Sequence, residues 1–261
     1  ITIKKEEVVY NFYTKGEEIA NAVTHGVGAI LSVIGSVFLI LASVKTGSKY
    51  AVTGVGVYCA SLIILYLGST LYHSIPGKLA KKILRILDHS SIYLLIAGTY
   101  TPIILILMNS DKKSMYILIA LWIIAALGIF FKAFWIGRFE IFSTILYILM
   151  GWTIVINIKA VLLLVPTNIL MFVVLGGIAY TVGCIFFAAD KMPYNHFIWH
   201  LFVMAGSVLH YVAIFLGILY KVKINLDGLS IFINNLDNPF LFKFFKLSFL
   251  ESNNKNVLTY P

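Results

Sequence analysis

The chain has 261 residues, of which 60% are hydrophobic and 12% charged, and its mean hydropathy is +0.94. Soluble domains hold about 45–50% apolar residues, so this composition excludes a soluble globular protein and indicates an integral membrane protein. The formal net charge is +9, but the basic residues are spread among loops without the aromatic-basic pattern of nucleic-acid-binding proteins. Membrane lipids are therefore the expected partners, and nucleic acid is not expected.

Apolar runs near the ~20 residues that a bilayer requires recur along the chain, with short polar breaks between them. Because a helix satisfies its own backbone groups in lipid, the pattern predicts an all-α membrane protein, a bundle of seven transmembrane helices. Residues 1–21 form a predicted cytoplasmic N-terminal segment, residues 22–220 the membrane domain, and residues 221–261 a tail that is interfacial or disordered. The predicted spans are 22–44, 50–72, 86–108, 115–134, 140–162, 168–188 and 196–220.

Lysine and arginine in the loops predict the orientation, because positive charge is retained on the cytoplasmic side. The largest group lies between the second and third spans and comprises Lys78, Lys81, Lys82 and Arg85. This count favours a cytoplasmic N-terminus. We expect a multi-pass protein of the plasma membrane.

All six histidines lie in or beside the predicted spans. Ionisable groups at membrane depth usually face a bundle interior or a wet cavity and pair with something there. With a cytoplasmic N-terminus, five histidines fall at the cytoplasmic face, while His210 lies about 15 Å deeper than His200 at a rise of about 1.5 Å per residue. The five are His25, His73, His89, His196 and His200.

His196 and His200 are four residues apart, which places both imidazoles on one face of a helix in a spacing typical of metal binding. An isolated pair of this kind is more often structural than metallic. If the second and seventh helices pack together, His73 supplies a third imidazole, and three histidines leave one tetrahedral position of zinc open to water. Imidazole also suits other transition metals.

Two further side chains are candidate catalytic residues. Asp88 follows His73 across the turn between the second and third helices, so it returns to the histidine layer, where it would orient or deprotonate the water. Ser69 lies one turn before His73 and would hydrogen-bond the His73 ring, the water or a substrate oxygen.

The remaining histidines have more ordinary interpretations. His25 and His89 lie in the same layer and are predicted to support the site. For His25 the alternative is a helix-end histidine that bonds to the backbone, with Asn21 and Thr24 capping the first helix. His89 and His210 are expected to form hydrogen bonds between helices rather than to bind metal.

Small residues interrupt two of the helices. The stretch AGTYTP at residues 97–102 is either a packing site, where threonine hydroxyls restore the bonding that Pro102 disrupts, or the wall of a substrate cavity. Glycines in the spans, Gly54 and Gly56 among them, are expected to permit close contacts between helices.

Taken in order, the motifs resemble those of bacterial hemolysin III proteins, which are relatives of the progestin and adipoQ receptors. The resemblance runs from about residue 17 to 220, and the tail beyond residue 225 departs from the family pattern. The matching motifs are Glu18-x-x-Asn21-x-x-Thr24-His25-x-x-Gly28, Ser69-x-x-Tyr72-His73, Leu87-Asp88-His89, residues 97–102 and His196-x-x-x-His200.

The resemblance implies a zinc ion near the cytoplasmic face, held by His73, His196 and His200, with Asp88 reaching it through water and Ser69 adjacent. Because the wider superfamily includes lipid amidases, it also implies zinc-dependent hydrolysis of a lipid amide or ester, such as the amide of ceramide. The name hemolysin implies instead a pore-forming cytolysin or channel. A third function that fits the residues is a receptor-like sensor with structural zinc.

Overall fold

A computed structural model describes residues 13–137, 139–189 and 191–234. These residues form α-helices and one short 3-10 helix, Thr153–Asn157, and no strand, which confirms the predicted all-α class. Seven helical stretches are long and apolar enough to cross a membrane, and the fifth joins α5, the 3-10 helix and α6. The helices are α1 (Lys15–Val44), α2 (Lys49–Ser74), α3 (Lys78–Leu107), α4 (Lys112–Trp135), α5 (Glu140–Gly151), α6 (Ile158–Leu164), α7 (Thr167–Phe187) and α8 (Asn195–Asn234).

The chain divides into two units, one ending at Ile218 and one beginning at Leu219. In the first unit α2 packs against α1 and α3, and α3 also packs against α4 and α5. The second unit is described as far as Asn234, all of it helical. The helix therefore continues beyond residue 220, where the predicted seventh span ends, because residues 221–234 contain one glycine and no proline that would stop a helix. The rest of the predicted tail and most of the predicted N-terminal segment, residues 235–261 and 1–12, lie outside the described residues.

The first helix turns its small and polar side chains inward and its large apolar side chains outward. Asn21, Ser32 and Ser36 are buried, whereas Phe38 is 61% exposed and Leu41 59% exposed. The buried hydroxyls bond within the helix, as where Ser36 Oγ donates to the Ser32 carbonyl at 2.6 Å. This polarity suits a helix whose outer face meets lipid tails, and it directs polar groups into the protein.

The same helix begins before its predicted start at residue 22. Thr14 and Glu17 form a capping box, in which Thr14 Oγ1 accepts from the Glu17 backbone at 3.3 Å and Glu17 Oε2 accepts from the Thr14 backbone at 2.8 Å. Asn21 and Thr24 therefore lie inside α1, and the interpretation that they cap it is wrong. The extension also brings Glu18 onto the helix, on the side that carries Asn21.

The third helix likewise begins at Lys78 rather than at residue 86. The charged residues that precede the apolar run are helical, and Lys81 among them has a partner: its Nζ donates to the Tyr72 carbonyl at 2.6 Å. Asp88 consequently lies about three turns into α3, not directly after the turn between helices.

Helices α2 and α3 approach closely near Pro102. A Cβ on Gly54 would lie 2.9 Å from Pro102 Cα, so only glycine permits this approach. A Cβ on Gly56 would meet nothing within 4 Å, so the expectation of a close contact there is wrong. Thr101 Oγ1 donates to the Ala97 carbonyl at 2.7 Å, while Thr99 lines a cavity, so the 97–102 stretch serves packing and also forms a cavity wall.

Candidate metal centre

Three histidines from two helices meet at one point. His73 on α2 and His196 and His200 on α8 each offer a ring nitrogen, and these atoms lie within 4.8 Å of one another. The ring centroids of His196 and His200 are 4.5 Å apart, and that of His73 lies 5.1 and 5.3 Å from them. The second and seventh predicted spans are therefore in contact, as a three-histidine site requires.

The nitrogens of this cluster include buried atoms that lack hydrogen-bond partners. Among the described residues nothing pairs with Nε2 of His73, Nε2 of His196 or Nδ1 of His200. Buried polar atoms in folded proteins are nearly always paired, so such atoms in one cluster require an explanation. Imidazole nitrogens are the ligands that zinc and several other transition metals accept, and the three residues fit such an ion.

A carboxylate outside the cluster orients one of these rings. Glu18 Oε2 lies 2.6 Å from His73 Nδ1, and because a carboxylate accepts, Nδ1 carries the hydrogen and Nε2 keeps its lone pair. Lys81 Nζ holds the other carboxylate oxygen at 2.7 Å. A histidine whose second nitrogen donates to a carboxylate is the usual arrangement at protein metal sites.

Neither Glu18 nor Lys81 is predicted from the sequence as a site residue. Lys81 counts there as a loop charge, and Glu18 enters only as the first residue of a motif. The signal for Glu18 is its spacing, since Glu18, Asn21 and His25 recur on one face of a helix that is otherwise apolar.

Tyr13 is a second side chain that the sequence does not single out. It precedes α1, and its ring centroid lies 5.7 Å from that of His73 and 5.0 Å from that of His196. Burial raises the pKa of the Tyr13 hydroxyl far above its ordinary value, so the group stays protonated and uncharged. Tyr13 therefore covers the histidine cluster with a neutral aromatic ring.

The predicted supporting residue His25 lies directly against the cluster. Its ring stacks on His200, with centroids 3.5 Å apart and planes inclined by 12°. Both of its nitrogens, and both polar side-chain atoms of Asn21, are buried without a partner among the described residues. Ser69, one turn before His73, is also fully buried with an unpaired Oγ. No contact between Ser69 and the three histidines is described, so its role stays a prediction.

A cavity adjoins the cluster, and we name it the histidine cavity. His196, His200, Asp88 and His89 contribute to its wall. Asp88 Oδ2 lies 3.3 Å from His89 Nδ1, and that nitrogen also lies 3.1 Å from the Arg85 carbonyl. Both partners of His89 Nδ1 are on its own helix, and its bond to another helix is made by the backbone, where the His89 carbonyl accepts from the Tyr147 hydroxyl at 3.0 Å. Asp88 thus shares a cavity with two of the three candidate ligands.

His210 lies apart from this site. Its Nε2 donates to the Val173 carbonyl on α7 at 3.0 Å, which is the predicted bond between helices. It contributes to the wall of a different cavity and is absent from that of the histidine cavity.

Comparison with known proteins places this architecture. The family model described as haemolysin-III related matches residues 13–211. The chain is 46% identical to Hemolysin-3 of Bacillus cereus over 203 residues, which cover 78% of this chain and 92% of the relative. It is 42% identical to the Hemolysin-3 homolog of Bacillus subtilis (strain 168) over 212 residues, 81% of this chain and 98% of the relative.

A more distant similarity reaches an animal protein. The chain is 28% identical to the monocyte to macrophage differentiation factor of Homo sapiens over 206 residues, 76% of this chain and 83% of the relative. No solved structure matches the chain. The matched region contains every residue of the histidine cluster together with Glu18, Asp88 and Ser69. The chain is a multi-pass membrane protein that belongs to the haemolysin-III-related family.

Proposed function

We propose that the protein is a zinc-dependent hydrolase of a membrane lipid amide or ester. The observation that carries this proposal is the meeting of His73, His196 and His200 within 4.8 Å, beside a cavity whose wall includes Asp88. The three imidazoles would hold the ion and leave one position for water, which is the arrangement of catalytic rather than structural zinc sites.

A zinc ion held by these three residues would act as a Lewis acid and would lower the pKa of a bound water to near neutral pH. Asp88 would accept a proton from the attacking water while the water oxygen bonds to the carbonyl carbon of the substrate. As the C–N or C–O bond breaks, Asp88 would return that proton to the leaving nitrogen or oxygen. Glu18 would keep His73 in the tautomer that the ion needs, and Ser69 Oγ would donate a hydrogen bond to the substrate carbonyl.

The surroundings of the site favour a lipid as substrate. Apolar side chains form one part of the wall of the histidine cavity, among them Leu65, Ile92, Phe187 and Trp199, and the polar residues His25, Glu140 and Thr144 complete it. The acyl chain of a lipid would pack against these apolar side chains, while its amide or ester group would lie at the histidines and Asp88. Membrane lipids would then be substrates as well as surroundings, and the plasma membrane is the proposed location.

The proposal is tested by measuring metal and activity together. Purified wild type is expected to hold one zinc per chain and to release product from a panel of lipid amides and esters. His200→Ala should lose both properties, whereas His89→Gln should keep the metal, because His89 bonds within α3. Wild type without stoichiometric zinc, and with metal content unchanged in His200→Ala, would exclude this function.

A second function, membrane lysis, is favoured by the name Hemolysin-3 of the relative from Bacillus cereus. Dye release from liposomes separates the two. Release that survives alanine at all three histidines would favour a cytolysin, while release that depends on zinc and on Asp88 would point to lipid hydrolysis.

A further inference from the structure

The structure contains a second cavity, deeper along α8 than the histidine cluster, which we name the inner cavity. Its volume is about 90 Å³, against about 30 Å³ for the histidine cavity. A single water needs roughly 10–15 Å³ measured in this way, so the inner cavity has room for several such groups. Its wall is mainly apolar and aromatic, with Leu95, Ile96, Trp152 and Trp199 among its members.

The hydroxyl groups in this wall already have hydrogen-bond partners within the protein. Thr99 donates to Leu95, Tyr100 to Gly151, and Thr181 to Gly177, each at 2.7 Å to a backbone carbonyl. The other two also have partners: the Tyr147 hydroxyl donates to the His89 carbonyl at 3.0 Å, and the Tyr180 hydroxyl lies 2.8 Å from Ser207 Oγ, with which it shares a hydrogen bond. These hydroxyls therefore have no need of a ligand.

His210 differs from them. Its Nε2 lies 3.0 Å from the Val173 carbonyl, and because a carbonyl oxygen only accepts, Nε2 must carry a hydrogen. No Asp or Glu occurs among the described residues of the wall, so nothing there balances a charged imidazolium at membrane depth. The neutral ring then presents Nδ1 as a hydrogen-bond acceptor.

That acceptor is unpaired. Nδ1 of His210 is buried and has no partner among the described residues, although polar atoms at this depth are normally bonded within the protein. An acceptor can be satisfied only by a donor. The missing partner must therefore carry an O–H or N–H group.

We propose that the inner cavity binds an alkyl molecule bearing a hydroxyl or amide N–H, whose donor bonds to Nδ1 of His210. The aromatic and aliphatic wall accommodates the chain, and His210 selects the donor. The inner cavity shares part of its wall with the histidine cavity, Trp199 and Val203 included. The proposed bond uses neither the metal nor Asp88, so its test is independent of the proposed hydrolase.

Two adjacent glycines on α7 allow the site to be changed in two ways. A Cβ on Gly176 would lie 2.2 Å from His210 Cδ2, so Gly176→Ala must displace the imidazole. A Cβ on Gly177 would meet only the Trp152 ring, at an ordinary 3.7 Å, and Gly177 is part of the wall. Gly177→Leu should therefore fill the inner cavity while leaving His210 in place.

The test uses quenching of tryptophan fluorescence, since Trp152 and Trp199 are in the wall. Two brominated probes are compared in detergent: 11-bromoundecan-1-ol, which has a donor, and its methyl ether, which has none. Wild type should bind the alcohol about tenfold more tightly than the ether. This ratio is expected because the ether leaves one buried hydrogen-bond acceptor without a donor. Comparing this ratio between variants removes differences in how the probes enter micelles.

His210→Phe should lower the ratio about tenfold relative to wild type, and so should Gly176→Ala, which keeps the histidine. Gly177→Leu should abolish quenching by both probes. Thr144→Val, whose position belongs only to the histidine cavity, should retain the wild-type ratio. A ratio in His210→Phe or Gly176→Ala that equals the wild-type ratio would overturn the proposal. Quenching that persists in Gly177→Leu would place the probes outside the inner cavity and would overturn it as well.

Discussion

Glu18 Oε2 and His73 Nδ1 lie 2.6 Å apart, and this bond joins the first helix to the candidate metal centre on the second. It leaves His73 Nε2 unprotonated, which a metal ligand must be. Lys81 on α3 bonds to the same carboxylate, so residues from three helices together fix the orientation of the His73 ring.

Removing this carboxylate should weaken metal binding without removing a ligand. Glu18→Ala is expected to lower zinc affinity about 10–100-fold, because the His73 ring loses the partner that fixes its tautomer and orientation. Competition with a chromogenic chelator measures the affinity. Asp227→Ala removes an exposed carboxylate on α8 and should leave the affinity unchanged. An affinity in Glu18→Ala within twofold of wild type would contradict the role of Glu18.

Replacing the proposed proton acceptor should separate catalysis from metal binding. Asp88→Asn is expected to lower kcat for a lipid amide about 10²–10⁴-fold while zinc content stays at one per chain, because the amide cannot accept the proton of water. Activity assays paired with elemental analysis check both quantities. If zinc is lost together with activity, Asp88 acts as a ligand instead.

The contact between α2 and α3 gives a prediction about stability. Gly54→Ala should unfold more easily than Gly56→Ala by about 1–3 kcal/mol, the usual cost of overpacking, because only the first Cβ meets the backbone of Pro102. Both changes gain the same helix propensity, so their difference isolates the packing effect. Thermal unfolding in one detergent compares the two variants, and equal midpoints would refute the close contact.

Asp111, between α3 and α4, supplies a pH-dependent contribution to stability. Hydrogen bonds from the Ser114 side chain and backbone to Asp111 Oδ2 lower the pKa of this carboxyl below its ordinary value. Because the pKa is lower in the folded state, the carboxylate stabilises the fold above about pH 4 and loses this effect as pH falls through the lowered pKa. Asparagine caps a helix about as well as aspartate but does not titrate. At pH 6 the melting temperature of wild type should therefore be higher than that of Asp111→Asn, and this difference should disappear in acid. A difference in melting temperature that does not change with pH would contradict the prediction.

The orientation predicted from loop charge is open to direct measurement. With a cytoplasmic N-terminus, a chain ending after residue 76 and fused to green fluorescent protein should fluoresce, because that loop would lie inside. Alkaline phosphatase fused after residue 110 should be active, because that loop would lie outside. The reverse pair of results would place the histidine cluster on the outer side of the membrane.

The sequence by itself determined the seven spans, the all-α class and the family, because hydrophobic length and ordered motifs are properties of the chain alone. It also singled out His73, His196 and His200, since a four-residue spacing on a helix fixes two of them on one face. Helix starts were less predictable: hydropathy finds the membrane-crossing part, whereas the capping box at Thr14 and the contacts of Lys81 extend α1 and α3 beyond it.

Only the tertiary structure decided which groups meet across helices. Nothing in the chain between Glu18 and His73 requires their bond, which exists because α1 packs against α2. Contacts between other helices stack His25 of α1 on His200 of α8 and leave His210 with an unpaired nitrogen at the inner cavity. Spacing along a helix fixes which face a side chain occupies, but its partner is fixed by the neighbouring helix, and that is a property of the folded protein.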